Sequence, residues 1–255
     1  MERLGGLNGT GFELGNPDLF DRGLLFDELG HRYYFPNESG VKFISVTQFI
    51  GLFFEKFDGW ATALRVCEPT PIYADDAHKA LMDKWDDDAV MGSLAHRELE
   101  HYIKYGTQPK MSKAVSGYEW LNYKDWSGKE FFAEVVVFSR ALGIAGTIDF
   151  VVRDKVSGAC ELFDWKTSRK IDVSGYNGKK GILPPSCLLD DCNLVIYSLQ
   201  LSLYRYLLEL EYGVNVSQQT IVHLTDLGCG PISAEFMRDD LVNMIEFWQR
   251  EMRWK

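Results

Sequence analysis

The chain has 255 residues, of which 46% are hydrophobic and 25% charged, and its formal net charge is −10. Those proportions suit one sizeable α/β domain, alone or with a small appendage. The acidic balance argues against a protein that coats nucleic acid through Lys and Arg, yet leaves room for a nucleic-acid enzyme with a local basic track.

In chain order, the opening "MERLGGLNGTGFELGNPDLF" lacks a basic end followed by an apolar core, so it does not read as a signal peptide. It is also too acidic and Gly-rich for a mitochondrial presequence, and residues 1–22 are expected to be irregular. "GLLFDELGHRYYFP", then "NESG" and "VKFISV", read as a β-hairpin with a Gly-containing turn. "SVTQFIGLFFEKF" opens a helix: Ser45 and Gln48 fit a capping box, and Phe49, Leu52 and Phe53 share a face. Two short helices are predicted over 59–67 and 74–85, separated by the "EPTP" break. "DAVMGSLAHRELEHYIKYG", from about residue 88, reads as a helix with an acidic start and a Gly stop, and 113–126 as another.

Three strand-like runs follow: "EFFAEVVVF", "AGTIDFVV" and "ACELFDWKT". After a polar loop over 169–191 come the amphipathic helix "DCNLVIYSLQLSLYRYLLELEYG", the strands "QQTIVHLTD" and "GPISAEFM", and a closing helix over 238–254. The order helix, three strands, helix, strand predicts an α/β fold: a mixed sheet flanked by helices, with the N-terminal hairpin and helices as a roof. The apolar run "NLVIYSLQLSLY" is too short and too polar to span a bilayer. Cys67, Cys160, Cys187, Cys192 and Cys229 form no C-x-x-C and read as free thiols in an intracellular, reducing compartment.

The stretch "GTIDFVVRDKVSGACELFDWKTS" carries the chemistry. A short turn centred between Val156 and Ser157 places Asp149 opposite Asp164, because both lie equally far from that midpoint. Facing carboxylates on neighbouring antiparallel strands repel each other, and a shared divalent cation offsets that repulsion. Hard oxygen ligands suit Mg²⁺ or Mn²⁺. Asp164 and Lys166 sit two apart and share a face, while Trp165 points the other way into packing. Two carboxylates and an ammonium on one face suit phosphodiester hydrolysis, in which Lys166 orients or deprotonates a water or neutralises the phosphorane. A surface charge ladder with Lys166 pairing Asp164 is the plainer alternative. On the helix before the strands, His96 and Glu100 share a face and Gly92 allows close approach of the backbone. Gln200 and Tyr204 share a face of the later helix.

Gly92 to His96 on a helix, Gly146 to Asp149 on a strand, Asp164 to Thr167 on the next, then Gln200 and Tyr204 on a helix resemble the RecB-type branch of the PD-(D/E)xK nucleases. "SVTQFIGLFFEKFD", "DWKTS" and "YSLQLSLYRYLLE" are most similar to the mitochondrial genome-maintenance exonuclease group and its phage and giant-virus relatives, over roughly residues 30–250. The resemblance implies a restriction-endonuclease-like core and a viral or phage protein. It implies a single nuclease domain over 23–255, with the hairpin and helices of 23–87 leading into a core over 88–255. It also implies one or two Mg²⁺ or Mn²⁺ ions on His96, Asp149, Asp164 and the Trp165 carbonyl. Lys166 would be the catalytic lysine, acting with Asp149, Asp164 and His96. Gln200 and Tyr204, with Thr167 and Ser168, would position the strand. Glu134 resembles an acid that precedes the Gly-x-x-Asp motif. Ser45 and Thr47 would touch a phosphate, or serve only as the helix cap. Glu100 is read as structural. The long loop carries Lys179 and Lys180, which would line a DNA channel or stay solvated. The cysteine spacing does not match the Fe–S arrangement of related nucleases, so no cluster is expected.

The function expected from this resemblance is metal-dependent DNA exonuclease activity on single-stranded or free ends, in replication, repair or recombination. A structure-selective endonuclease on the same core and an inactive DNA-binding module are the alternatives. Trp60, Trp85, Trp120 and Trp126 lie on the helical part and suit either base stacking or core packing.

Overall fold

A computed structural model of the chain describes residues 12–28, 30–67 and 74–253. Residues 1–11, and with them half of the expected irregular segment, lie outside that range, as does the "EPTP" break. Residues 12–22 run beside the sheet: Gly15 N–H donates to the Phe131 carbonyl, Phe131 N–H donates to the Glu13 carbonyl, and Phe12 is buried.

β1 (Leu25–Asp27) and β2 (Arg32–Tyr34) form a small antiparallel hairpin. Its turn lies before Arg32, where Gly30 N–H donates to Asp27 Oδ1, and not at "NESG" as the sequence suggests. β3 (Ile44–Ser45) instead enters the main sheet parallel to a later strand. α1 (Val46–Gly51) starts at Ser45 with the predicted capping box: Ser45 Oγ accepts from Gln48 N–H, and Gln48 Oε1 accepts from Ser45 N–H. Those reciprocal bonds satisfy two otherwise orphaned donors.

α2 (Gly59–Cys67) matches its prediction, but α3 (Ala74–Tyr105) is one helix of 32 residues where the sequence suggests two. Asp86, Asp87 and Asp88 read as a helix start, yet they are exposed in mid-helix. Each Asp costs only about 0.7 kcal/mol against Ala there, and no Gly or Pro intervenes between 74 and 91 to stop propagation. α4 (Ser112–Tyr123) follows.

The main sheet then builds around β5 (Ile144–Asp154). β4 (Lys129–Ser139) lies antiparallel along one edge of β5. The other edge is shared by β3, at Ile144 and Ala145, and by antiparallel β6 (Cys160–Lys166), from Phe150 onward. β6 pairs parallel with β7 (Val216–Thr225) through the crossover helix α5 (Asn193–Tyr212), the kind of connection that parallel pairing requires. β8 (Gly228–Ser233) and α6 (Arg238–Glu251) complete the chain.

The result is the expected mixed α/β architecture, with helices on both faces of the sheet. α1, α5 and α6 bury Phe49, Leu199, Leu203 and Met244 against one face. α3 and α4 bury Leu99, Ile103 and Leu121 against the other. Between Phe163 and the start of β3's pairing, β5 and β6 part company. That slot, open between the two helical layers, positions the site. Among the described residues no helix is long and apolar enough to cross a membrane.

Candidate active site

The β5–β6 ladder ends where Phe150 pairs with Phe163, which leaves Asp149 and Asp164 as the next residue on each strand at the point of separation. Trp165 turns the other way, fully buried and stacked on Phe150 at 5.8 Å. Where the strands separate, the Asp149 carboxylate takes the place of the missing ladder bond: its Oδ2 accepts from Trp165 N–H at 2.8 Å. In an extended strand a residue's N–H and C=O point to the same edge, so the Trp165 carbonyl is turned toward Asp149 as well.

Asp164 is 2% exposed. Its Oδ1 accepts from Gln200 Nε2 at 3.0 Å. Its Oδ2 forms an ion pair with Lys166 Nζ at 2.5 Å. Lys166 is further held by Gln200 Oε1 at 3.4 Å and by the Tyr197 ring, 4.6 Å from Nζ. His96 Nδ1 reaches Asp149 Oδ2 at 3.5 Å from α3. Two glycines make these approaches possible. A Cβ on Gly92 would sit 2.6 Å from Thr167 Oγ1, and one on Gly146 would sit 2.5 Å from the Tyr204 ring and 2.8 Å from Val46.

Burial and charge pull the ionisable groups in different directions. Burial and the neighbouring Asp149 push Asp164 up to about 6, against the pull of Lys166. For Asp149, burial is outweighed by His96, Lys166 and the Trp165 N–H, so it lies below the usual carboxylate range. Burial disfavours the charged forms of Lys166 and His96, yet the two carboxylates raise both above their ordinary values. Glu134 is pushed up to about 8 by burial, Asp149 and Glu100. It also holds φ at 56°, in the left-handed region that non-glycine residues seldom adopt, and it interrupts the ladder opposite Asp149.

The remaining sequence-predicted residues fall in three places. Gln200 and Tyr204 lie behind the acids. Tyr204 is 3% exposed, accepts from Gln200 Nε2 at 3.3 Å, and stays a neutral phenol because burial raises it well above its ordinary range. Its ring supports Gln200 from within the core. Thr167 and Ser168 form the turn after β6, tied down by Lys113 Nζ on the Thr167 carbonyl (2.8 Å) and by His223 Nε2, donating to the Ser168 carbonyl (2.6 Å). Ser45 serves as the helix cap, while exposed Thr47 faces a groove shared with Lys166, Tyr197 and Gln200.

Sequence reading missed Tyr197, Lys113 and His223. Tyr197 carried a signal, since it lies one turn before Gln200 on the same helix. Lys113 and His223 carried none, because α4 and β7 meet the turn only through tertiary packing. In the long loop Lys179 pairs with Glu55 and Lys180 with Asp190, both at the surface. Trp120 and Trp126 pack beside Phe163 in the core, whereas Trp60 is 55% exposed.

The donor set fits a hard divalent cation in kind: the carboxylates of Asp149 and Asp164, the Trp165 carbonyl and the His96 imidazole, with Asp164 Oδ2 buried and held by the Lys166 charge. Among the described residues no three His, Cys, Asp or Glu side chains already converge on one point. Lys166 lies against Asp164, and His96 against Asp149, where a cation would compete.

No family model and no curated protein matches the chain. The solved structure of SSO0001 is 17% identical, covering 83% of this chain and 76% of that one, with a TM-score of 0.39. A protein of Eubacterium rectale provisionally named an exonuclease is 12% identical, covering 90% and 85%, with a TM-score of 0.40. Likeness at that level carries no inference about activity.

Proposed function

We propose that the chain is a metal-dependent DNA exonuclease of the PD-(D/E)xK type, hydrolysing phosphodiester bonds from strand ends. The observation that carries this reading is the gathering of Asp149, Asp164, Lys166 and His96 at one slot in the sheet. Burying these groups is costly, and the hydrophobic layers on either side do not require them. Perturbed carboxylates beside a buried amine in a cleft are the mark of a functional site.

Asp149, Asp164, His96 and the Trp165 carbonyl would hold Mg²⁺ or Mn²⁺, which when bound polarises a phosphate and lowers the pKa of a water. Lys166, kept protonated by the carboxylates, presents positive charge where a phosphorane gains negative charge. Gln200 bridges Asp164 and Lys166 and fixes their spacing. Tyr204 keeps Gln200 in register.

The test is digestion of end-labelled linear DNA and circular single-stranded DNA with Mg²⁺, Mn²⁺ or EDTA. Linear DNA is expected to be degraded only with metal, and circular DNA to survive. Cleavage of circles would indicate an endonuclease on the same core; binding without turnover in Mn²⁺ would indicate an inactive DNA-binding module. Lys166→Ala and Asp149→Asn are expected to lower the rate by roughly 10²–10³-fold or more while circular dichroism stays native. Undiminished cleavage by both variants would remove this site from consideration.

A further inference from the structure

The close contact of Gly92 with Thr167 divides the cleft into two mouths, one lined mainly by cationic side chains and the other mainly by carboxyl groups. His96 and Thr167 line both. On one side a cavity of about 560 Å³ holds Lys84, Lys113, Lys166 and Arg169 against the carboxylates of Asp88 and Asp226. Asp226 is already engaged by the Ser112 hydroxyl. On the other side a cavity of about 580 Å³ holds Glu28, Glu100, Glu134 and Asp149, with Arg97 paired to Glu28. Lys84, Asp88, Gly92, His96 and Glu100 recur every four residues and so form one stripe along α3, whose earlier part lines the first mouth and whose end lines the second. Arg97 belongs to the stripe beside it.

Beside Lys166, which is paired to Asp164, the first mouth holds three further cations with no carboxylate partner among the described residues. Lys84 and Arg169 are exposed and make no ion pair with a described residue, and Lys113 is bonded to a carbonyl and not to an acid. Nearby Lys170, Lys179 and Lys180 are each neutralised by a carboxylate. In a chain of net charge −10, cations left without carboxylate partners beside Lys166 form a local attractor for a polyanion. In the second mouth Arg97 is already paired to Glu28, and Glu100 is paired to Lys104, so neither Arg97 nor Lys104 is left without a carboxylate partner for a phosphate.

Building on the nuclease reading, we propose that the substrate's phosphodiester backbone enters through the first mouth, with Lys84 and Arg169 holding phosphates on one side of the scissile bond. No backbone runs through the Glu28–Glu134 mouth. Lys113 is bound to the Thr167 carbonyl and acts as a positioning residue for the turn.

The test reads binding without metal: fluorescence anisotropy of a fluorescein-labelled short oligodeoxynucleotide in EDTA, across a salt series. Lys84→Glu and Arg169→Glu are each expected to weaken binding roughly tenfold at ~0.1 M salt. Each should also reduce the slope of log K against log salt by about 1, the signature of one lost phosphate contact. Arg97→Glu, in the acidic mouth, is expected to bind as the wild type does. Wild-type affinity in both Lys84→Glu and Arg169→Glu overturns the proposal, as does equal weakening in Arg97→Glu or no measurable binding by the wild type. Because no metal is present, a wild type that binds this way but never cleaves removes the nuclease reading alone. One that cleaves while the two variants bind unchanged removes the basic mouth alone.

Discussion

Asp164 is the residue on which the others depend. Its Oδ1 has one donor, Gln200, and its Oδ2 has only the Lys166 charge beside it. Gln200→Ala strips a buried carboxylate of its hydrogen bond and is expected to lower unfolding stability by about 1–3 kcal/mol, read by urea denaturation. Cleavage should fall with it, since Lys166 loses the same partner. Glu134 carries the pH prediction. Its ordinary value is 4.5 and the fold raises it to about 8. Between those values the folded chain holds a proton that the unfolded chain has released, so this group's contribution to stability falls as pH rises through the window. Thermal melts in EDTA should show that fall in the wild type and a flatter profile in Glu134→Gln; identical profiles would contradict it. Much at this scale was legible: the facing of Asp149 and Asp164 follows from counting outward from a turn. The strain at Glu134 was not, since a positive φ leaves no mark in residue identity.

Elements met their predictions where periodicity was strong. β4, β5, β6 and α5 lie close to their expected bounds, because alternation and the 3.6-residue stripe report which face is buried. The errors came where local signals were ambiguous. "NESG" looks like a turn, but the hairpin closes earlier at Gly30, and Asp86–Asp88 look like a helix start within α3. Packing between elements gives a sharper test at Gly146. Its missing side chain lets α1 and α5 meet the sheet through Val46 and Tyr204. Gly146→Ala is expected to destabilise by about 1–3 kcal/mol through overpacking. It should also impair cleavage, since Tyr204 must retreat and Gln200 with it. An unchanged melting temperature would show that α5 can give way without cost.

At the scale of the whole molecule, the site lies where two strands separate between two helical layers. A ligand that binds only this folded arrangement stabilises it by mass action: about 2.7 kcal/mol at a hundredfold excess over Kd. Mn²⁺ is therefore expected to raise the melting temperature of the wild type and to leave Asp149→Asn unmoved. An equal shift in both would place the ion elsewhere. The overall charge of −10 also becomes intelligible at this scale. Carboxylates neutralise many surface cations, while Lys84 and Arg169 line the cleft without an ion pair to a described residue, as a polyanion would need.

The sequence by itself determined the class of fold, the order of its core elements, and which acids face one another, because these depend on short-range periodicity and on counting residues across one turn. Only the tertiary structure decided that Tyr204 lies buried behind Gln200, that Lys113 and His223 hold the turn after Lys166, and that the contact of Gly92 with Thr167 parts the cleft into a cation-lined and a carboxyl-lined mouth. Those facts depend on which distant elements pack together and how closely, and a glycine's missing Cβ becomes informative only once the neighbour that fills its space is known.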